Sequence, residues 1–253
     1  MFEDLRGKRV LVTGASSGLG AHFVALLAGQ GAHVVATARR LERLSALAEA
    51  CAGLPGRVTP LVLDVASVAA IEAGLGEASA AMGGLDVLIN NAGVAETERA
   101  LDLSEAQWDA QLDINLKGCF FAAQSAARIM SRQQSGGSIV NIASILGERV
   151  AISVAPYAAS KAALIQLTKA LALEWARHKV RVNALAPGYV VTDINRDFFA
   201  TEVGQALIKR IPMRRPADLG DLDGPLLLLC SNASRFMTGA VVAVDGGHLV
   251  SGL

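Results

Sequence analysis

The sequence predicts an α/β fold in which a doubly wound parallel sheet of seven strands is covered by helices on both faces. Short β-rich runs alternate with helical stretches along the whole chain. Several of these runs are apolar at nearly every position, which is typical of strands with both faces buried. A glycine-rich turn directly follows the first run. Because helices separate successive strands, we expect the strands to run parallel.

The individual elements follow from local patterns. The predicted strands are Arg9–Thr13, His33–Ala38, Thr59–Leu63, Asp86–Asn90, Ser138–Ala143, Arg181–Leu185 and Val241–Val244. Apolar stripes at helical spacing lie between them, and long helices are expected over Ala106–Arg132 and Tyr157–Arg177, with Pro156 in the first turn of the latter. No repeat or linker interrupts the pattern. We therefore predict a single domain over residues 1–253, with a cofactor half (1–150) and a half that carries the catalytic helix and a substrate lid (151–253).

The lid is assigned to residues of about 190–216. This stretch follows Pro187-Gly188, mixes charges of both signs and contains the pair Phe198-Phe199. Its segment 192–216 is the least regular long part of the chain, which favours a mobile loop over a core element.

Composition excludes several classes of function. The 253 residues include 23 basic and 23 acidic side chains, which argues against a nucleic-acid surface or a polybasic membrane patch. The uncharged stretch Val10–Ala38 is broken by glycines, serines and histidines, so we expect no membrane span. The acidic start Phe2-Glu3-Asp4 predicts no signal peptide. Three cysteines without metal spacing favour free thiols in a reducing, cytoplasmic setting.

The segment Thr13–Gly20, TGASSGLG, predicts a nucleotide-binding turn between the first strand and the first helix. Glycines let the backbone approach a pyrophosphate, and the helix start offers free N–H groups and the positive end of the helix dipole. Ser16 and Ser17 add hydroxyl donors. The spacing is G-x-x-x-G-x-G instead of the common G-x-G-x-x-G, so the glycines alone are also compatible with a simple tight turn.

The end of the second predicted strand favours NADP(H) over NAD(H). A carboxylate about 20 residues beyond the glycines binds the ribose hydroxyls of NAD. Here the strand ends Ala36-Thr37-Ala38-Arg39-Arg40, without an acid. Ala38 stands where NAD-binding chains have a carboxylate, which would repel a 2′-phosphate. Arg39 and Arg40 could pair with that phosphate. NAD(H) stays open as an alternative, because both arginines could instead be solvated at a helix start.

Tyr157 and Lys161 form the candidate proton-transfer pair. Their spacing of four residues places them on one helix face. We expect the Lys161 ammonium to lower the pKa of the Tyr157 phenol, which would let the phenol exchange a proton with a substrate. Ser144, at the end of an apolar run, could reach the same centre. Taken alone, the pair is a weak signal, because tyrosines and lysines are common on solvated helix faces.

Eight short motifs in a fixed order carry a resemblance to the short-chain dehydrogenases/reductases. They are TGASSGLG (13–20), LDV (63–65), NNAG (90–93), Asn115 in DINLKG, Ser144, YAASK (157–161), RVNALAPG (181–188) and VDGG (244–247). The resemblance covers nearly the whole chain. It implies a Rossmann fold and an NAD(P)-dependent oxidoreductase acting on CH–OH groups, similar to 3-oxoacyl-carrier-protein reductases and bacterial ketone or alcohol dehydrogenases.

The same resemblance implies roles for four catalytic residues. Tyr157 is the general acid in reduction and the base in oxidation. Lys161 assists Tyr157 and also binds the ribose hydroxyls beside the nicotinamide. Ser144 hydrogen-bonds the substrate oxygen where negative charge develops. Asn115 holds a water that connects Lys161 to solvent. No metal is required, because the cofactor carries the electrons.

Further residues are implied to contact the cofactor. They are Gly14, Ser16, Ser17, Gly18, Leu19 and Gly20 at the diphosphate; Asp64 and Val65 at the adenine; Asn91, Ala92 and Gly93 along the ribose and floor; and Pro187, Gly188, Val190 and Thr192 at the carboxamide. Asn91 could instead stabilise the sheet, and the VDGG segment could be a structural corner and subunit contact.

The residues expected around the substrate are mostly apolar, which predicts a medium-sized hydrophobic ketone or secondary alcohol. They are Val94, Glu96, Ile145, Leu146, Val154, Tyr189, Phe198, Phe199 and Met213. Glu96 is expected at the solvated rim, and the two phenylalanines could simply pack on the domain.

Two other functions stay open. A 3-oxoacyl-carrier-protein or CoA reductase would need basic residues to dock an acidic carrier. Residues 132–137 are less basic than that pattern, whereas Arg177, His178 and Lys179 supply charge before the sixth strand. A non-catalytic NADP-sensing protein is the second alternative, and the presence of all four catalytic residues counts against it.

The helices Ala106–Arg132 and Tyr157–Arg177 carry apolar residues on more than one face. A helix that is apolar nearly all round is buried on both sides. Together with the resemblance, this predicts a homotetramer built on these two helices.

Overall fold

The computed structural model describes residues 2–192 and 195–251, and its core is one parallel sheet of seven strands. The strand order is β3-β2-β1-β4-β5-β6-β7. The strands are β1 (Arg9–Thr13), β2 (His33–Ala38), β3 (Arg57–Val62), β4 (Val87–Asn90), β5 (Gly137–Ile142), β6 (Val180–Pro187) and β7 (Val241–Val244). The predicted fold class is confirmed.

Helices connect the strands and cover the sheet. They are α1 (Gly18–Gly29), α2 (Leu41–Ala50), α3 (Val68–Met82), α4 (Glu105–Leu112), α5 (Cys119–Arg132), α6 (Ala155–Trp175), α7 (Arg196–Ala200), α8 (Glu202–Ile208) and α9 (Asp223–Cys230). One apolar layer joins α1 and α9 to one face of the sheet through residues such as Phe23 and Leu226. The other joins α3 and α5 to the opposite face through residues such as Ile71 and Met130.

The helix predicted over Ala106–Arg132 is divided into three parts. A π-helical turn, Asp113–Gly118, separates α4 from α5. Such turns insert an extra residue and frequently occur at functional sites. At its end, a Cβ on Gly118 would clash with the carbonyl oxygen of Val65, so this position needs glycine.

The predicted lid contains more regular structure than expected. α7 and α8 lie within it, and Thr201 joins them: its hydroxyl donates to the Phe198 carbonyl at 2.7 Å and accepts from the Gly204 N–H at 3.1 Å. Helices of five and seven residues are too short to show a periodic apolar pattern. Residues 193 and 194 of the lid lie outside the described residues.

Hydrogen bonds of polar side chains connect the strands at the amino-terminal edge of the sheet. Arg9, at the start of β1, donates to the Asp86 carboxylate from Nε at 2.8 Å and from Nη2 at 2.6 Å. After α5, the Gln133 amide exchanges two hydrogen bonds with the Leu85 backbone, at 2.7 and 2.9 Å. Each of these three side chains has a protein partner, so their contacts hold the strands together at this edge.

Three free cysteines are buried. Burial raises the pKa of the Cys51 and Cys119 thiols, and it raises the pKa of Cys230 to about 12. In the described part of the chain, no helix is both long enough and apolar enough for a membrane span.

Candidate active site

A cleft of about 640 Å³ opens at the carboxyl-terminal edge of the sheet. In the sheet, β1 and β4 are neighbours. The chain runs from β1 to β2 on one side of this pair and from β4 to β5 on the other, so the cleft lies where the strand order reverses direction. Ligands of open α/β sheets bind at this switch point. Most of the predicted site residues line the cleft: Gly14, Ser16, Ser17, Leu19, Arg39, Arg40, Asp64, Val65, Asn91, Ala92, Gly93, Val94, Ser144, Ile145, Leu146, Val154, Tyr157, Lys161, Pro187, Gly188, Tyr189, Val190 and Thr192.

Four predicted residues are not part of the lining: Gly18, Gly20, Asn115 and Phe198. Glu96, Phe199 and Met213, also expected near the substrate, are absent from it as well. Phe198 is 42% exposed, and its ring packs edge-on against Phe199 at 5.5 Å, so in this arrangement it contacts the neighbouring ring and not the cleft.

The glycine turn and the segment after β4 pack back to back. Gly14 has φ +67°, and a Cβ there would lie 2.7 Å from the Ala92 Cα. The Asn91 side chain donates to the carbonyls of Thr13 at 3.0 Å and Gly14 at 3.2 Å. Asn91 therefore fixes the turn against the sheet, as the structural reading of this residue predicted, and it also borders the cleft.

The beginning of α1 offers unused donors to the cleft. Ser17 precedes the helix, but its side chain makes no capping hydrogen bond. Gly18 has φ +54°, and a Cβ there would find only Thr192 Cγ2, at 3.9 Å. The helix start thus combines free N–H groups with the space that an anionic group needs.

Two arginines follow β2 at the far end of the cleft. Arg40 Nη2 donates to Ser16 Oγ at 3.0 Å, which links the second crossover to the glycine turn. Arg39 lines the cleft and forms no hydrogen bond or ion pair with any residue in the described ranges. These features fit an anionic group on the ribose of a dinucleotide.

Asn115 lies behind the cleft in the π-helical turn. Its Oδ1 accepts from the Val94 N–H at 2.8 Å, and its Nδ2 donates to the Val94 carbonyl at 2.8 Å. Nδ2 also donates to Ser160 Oγ at 3.2 Å, and Ser160 Oγ donates to the Tyr157 carbonyl at 2.7 Å. Asn115 therefore ties the segment after β4 to the first turns of α6. Ser160 was not among the predicted site residues, although it lies inside the YAASK motif.

Lys161 and Tyr157 lie on the face of α6 that borders the cleft. The Lys161 side chain is buried, with 4% exposed, and its ammonium donates to the Ile142 carbonyl at 2.8 Å. The ammonium lies 5.6 Å from the centre of the Tyr157 ring. One N–H of the ammonium is used by β5, so two others are left for groups in the cleft.

Ser144 follows β5 and faces the same space. Its Oγ accepts from the Leu146 N–H at 3.1 Å, at the start of a short 3₁₀ turn. No acceptor takes its hydroxyl hydrogen among the residues that the structure describes. Ser144 and Tyr157 thus present two uncommitted O–H donors to one cavity.

The wall beside these donors is mainly apolar, formed by Val94, Ile145, Leu146 and Val154. Further lining residues that were not predicted as site residues include Ala95, Ile114, Ile142, Ala143 and Asn195. Asn195 Oδ1 accepts from the Thr192 N–H at 2.8 Å, and Nδ2 donates to the Val190 carbonyl at 2.9 Å. Asparagine shortly after a Pro-Gly turn is the signal that could have revealed it.

Tyr189 forms the polar part of this wall. Its ring packs on His248, with centroids 5.7 Å apart. Burial raises the pKa of Tyr189, although the charge of Arg210 opposes the shift. Burial also lowers the pKa of His248, and the positive charge of Arg149 acts in the same direction.

The cleft thus fits a dinucleotide, with a glycine cradle for phosphate groups at one end and uncommitted O–H and N–H donors at the other. Within the described ranges, no cluster of histidine, cysteine, aspartate and glutamate is arranged to hold a metal ion.

Comparisons with known proteins agree with this geometry. A family model described as enoyl-(acyl carrier protein) reductase matches residues 14–248. The chain is 39% identical over 252 residues to 2-dehydro-3-deoxy-D-gluconate 5-dehydrogenase of Escherichia coli K12, covering 97% of both chains. It is 37% identical to the 3-oxoacyl-[acyl-carrier-protein] reductase of Thermotoga maritima, covering 97% of this chain and 99% of the relative.

A solved structure extends the similarity to three dimensions. The gluconate 5-dehydrogenase of Burkholderia cenocepacia J2315, in complex with NADP and tartrate, superposes with a TM-score of 0.93 at 35% identity. The match covers 99% of each chain.

Proposed function

This chain belongs to the short-chain dehydrogenase/reductase family, and its relatives include dehydrogenases that act on CH–OH groups. From that membership we propose that it interconverts a ketone and a secondary alcohol with NADP(H). One observation carries the proposal. Ser144, Tyr157 and Lys161 present uncommitted hydrogen-bond donors to the same cleft that holds the glycine turn.

The cofactor, when bound, supplies or accepts the hydride. In reduction, Ser144 Oγ–H and Tyr157 Oη–H donate hydrogen bonds to the substrate oxygen, where negative charge develops. Tyr157 then gives its proton to that oxygen, and in oxidation its phenolate removes the proton. The positive charge of Lys161 stabilises the phenolate. The Val94–Asn115–Ser160 hydrogen bonds keep the start of α6 at a fixed distance from the floor of the cleft.

The glycine turn, the start of α1 and the two arginines after β2 would hold the cofactor. Gly14, Ser16, Ser17 and Gly18 would surround the diphosphate. Arg39, which has no protein partner among the described residues, would pair with the 2′-phosphate, and this supports NADP(H) over NAD(H).

Two substrate classes have support. The wall of Val94, Ile145, Leu146 and Val154 supports a medium-sized hydrophobic ketone or alcohol. The similarity to gluconate dehydrogenases supports a short hydroxy acid instead. The lid, about residues 190–216, would close over either substrate, because Val190, Thr192 and Asn195 already border the cleft.

Steady-state kinetics of the wild type and Tyr157→Phe test this function. Each is assayed with NADPH and NADH against hydrophobic ketones, keto acids and 3-oxoacyl thioesters. Losing the proton donor should lower kcat/KM by about 10³-fold, within the range for general acid–base catalysis. NADPH affinity, measured by fluorescence titration, should change less than about twofold, since a ring without its hydroxyl keeps the same shape. Unchanged turnover in this variant would overturn the mechanism.

A 3-oxoacyl-carrier-protein reductase is the second candidate, favoured by the match to the Thermotoga maritima reductase. The basic residues Arg177, His178 and Lys179 immediately precede β6, so they lie at the amino-terminal edge, away from this chain's own cleft. Turnover of a carrier-bound substrate that weakens with salt would support this candidate. Efficient turnover of free ketones with none of the carrier-bound substrate would exclude it.

We also propose a homotetramer built on α5 and α6. A groove of about 420 Å³ runs between them and exposes apolar side chains, among them Phe120, Leu167 and Trp175. Light scattering that gives the mass of a monomer would contradict this assembly.

The three buried free thiols support a reducing, cytoplasmic location. Fractionation of cells that express the native chain would test it.

A further inference from the structure

A cluster of cationic and aromatic side chains meets the cleft at Tyr189 and is not used in the steps above. Tyr189 lines the cleft, and the His248 ring lies behind it at 5.7 Å. Arg210 directly precedes Ile211, whose Cγ2 would lie 2.9 Å from a Cβ on Gly246, two residues before His248. The positive charge of Arg210 acts to lower the pKa of both Tyr189 and His248, and that of Arg149 acts to lower the pKa of His248. The cluster joins three distant parts of the sequence.

Polar side-chain atoms of Tyr189, His248 and Arg210 lack partners among the described residues. His248 is only 8% exposed, and its Nδ1 is buried without a hydrogen bond. Within residues 2–192 and 195–251, neither the Tyr189 hydroxyl nor the Arg210 guanidinium forms a hydrogen bond or ion pair. Buried polar groups in native proteins are nearly always paired, so the unpaired Nδ1 of His248, behind a residue that lines the cleft, indicates a missing ligand. Tyr189 is half-buried and Arg210 is exposed, so their free donors are accessible to such a ligand.

The cluster also carries an excess of positive charge. The nearby acid is Asp245, and its two oxygens already accept from the N–H groups of Gly247 at 2.9 Å and Leu249 at 2.6 Å. Arg149 donates to the carbonyl of Ser251 at 2.8 Å, and no carboxylate of the described residues forms an ion pair with it. Of the acidic residues that the structure describes, Asp64 alone lines the cleft, on the stretch directly after β3.

Close packing fixes the two halves of the cluster to each other. A Cβ on Gly246 would lie 2.9 Å from Ile211 Cγ2, and one on Gly247 would lie 3.2 Å from Pro212 Cγ. The Met213 N–H donates to the Gly246 carbonyl at 3.2 Å. The segment after Arg210 is therefore held against the turn that carries His248. Packing between these two backbone segments, and not only flexible side chains, keeps the cluster together.

We propose that Tyr189, His248 and Arg210 form a carboxylate-binding subsite, with Arg149 as a positioning residue, and that the substrate is a short hydroxy or keto acid. A guanidinium and a phenol together match the acceptor atoms of a carboxylate. Through Tyr189 the subsite opens onto the cleft that Ser144 and Tyr157 also line, so a carboxylate there would belong to the molecule that reacts at these two residues. The proposal rests on the proposed function for the chemistry at that carbon.

The test compares two probes with the same carbon skeleton. D-Gluconate carries a carboxylate where D-glucitol carries a hydroxymethyl group, and both are assayed for oxidation with NADP⁺. Arg210→Gln should lower the ratio of kcat/KM for gluconate to that for glucitol by about 10- to 100-fold, the loss expected for a hydrogen bond to a charged group. The control Lys209→Gln removes the same charge one residue away and should change the ratio less than about twofold.

The outcomes separate this proposal from the proposed function. A wild type that does not prefer gluconate, or that turns over hydrophobic ketones but neither probe, overturns the carboxylate subsite and leaves the oxidoreductase function intact. If no carbonyl or alcohol is turned over although NADP⁺ binds, the proposed function fails. Calorimetric titration of the NADP⁺ complex with gluconate then decides: binding weakened by Arg210→Gln and not by Lys209→Gln supports the subsite, and absent binding overturns it.

Discussion

Polar side chains at the two edges of the sheet differ in how many of their hydrogen-bonding groups have protein partners. At the amino-terminal edge, Asp86 accepts three hydrogen bonds from Arg9, and Gln133 is doubly bonded to the Leu85 backbone. At the carboxyl-terminal edge, Ser144 keeps a free hydroxyl hydrogen and Lys161 uses one of its donors. The difference teaches that saturated polar groups accompany the edge where contacts hold the strands together, whereas unsaturated groups accompany the edge where we propose that the cofactor and substrate bind.

The two ends of β5 provide the sharpest test of this contrast. Ser144→Ala removes a donor from the cleft, and we expect kcat/KM to fall by about 10²- to 10³-fold. Its effect on the free energy of unfolding should be about 1 kcal/mol or less. The matched control is Ser138→Ala at the amino-terminal end, where the hydroxyl donates to the Leu229 carbonyl at 2.8 Å. If both variants lost the same activity, the contrast between the edges would be wrong.

At the amino-terminal edge, Asp86→Asn should change stability and not catalysis. The Asp86 side chain is 16% exposed and that of Arg9 26%, so the variant leaves a largely buried guanidinium without its counter-charge. We expect the free energy of unfolding to fall by about 2 kcal/mol. Urea denaturation at one protein concentration measures it, and kcat/KM of the folded variant serves as the control. A loss of activity without a loss of stability would contradict the assignment.

At the far end of the cleft, Arg39→Asp should shift the cofactor preference. Replacing the unpaired guanidinium by a carboxylate repels a 2′-phosphate and offers an acceptor to ribose hydroxyls. The ratio of kcat/KM with NADPH to that with NADH should fall by at least about tenfold. Arg43→Asp makes the same charge change on α2 outside the cleft lining, and it should leave the ratio nearly unchanged. An unaltered ratio in Arg39→Asp would remove the basis for preferring NADP(H).

Lowering the pH should slightly reduce the contribution of the Arg9–Asp86 ion pair to the free energy of unfolding. Burial favours a higher pKa for Asp86, but the hydrogen bonds and charge of Arg9 outweigh it, so the pKa lies below the ordinary value of 3.8. The ion pair therefore stabilises the fold above that value and is lost as the pH falls through the lower pKa of the folded state. The stability difference between wild type and Asp86→Asn should be constant from about pH 7 to pH 5 and shrink below about pH 4. Denaturation curves at several pH values would contradict this if the difference grew in acid.

Local sequence patterns predicted the strands well because each strand is a short buried run. β1, β2 and β7 have the predicted bounds, whereas β3 begins earlier, at Arg57, because its backbone continues to pair with His33. β6 likewise extends to Pro187, which pairs with Val244. These extensions depend on the neighbouring strand, which a local pattern does not contain.

The parts that sequence could not predict depend on distant contacts. DINLKG shows no local sign of a π-helical turn, and the turn is tied to Val94 and Ser160 through Asn115. His248 follows the VDGG segment, which the sequence predicted as a structural corner. Its contact with Tyr189 joins residues 59 positions apart, so no spacing rule could reveal it. The cleft was predictable because its residues occur in recognisable motifs, whereas the cationic cluster has no motif.

The three buried cysteines make local opening of the molecule measurable without an added label. An alkylating reagent reacts with a buried thiol only after the surrounding structure opens. Cys51 directly follows α2, Cys119 begins α5 beneath the cleft, and Cys230 ends α9 against the other face of the sheet. The three labelling half-times therefore report separately on the outer crossover, the floor of the cleft and the helix behind β5. The order of the three half-times therefore shows which layer of the fold opens first, without any engineered label.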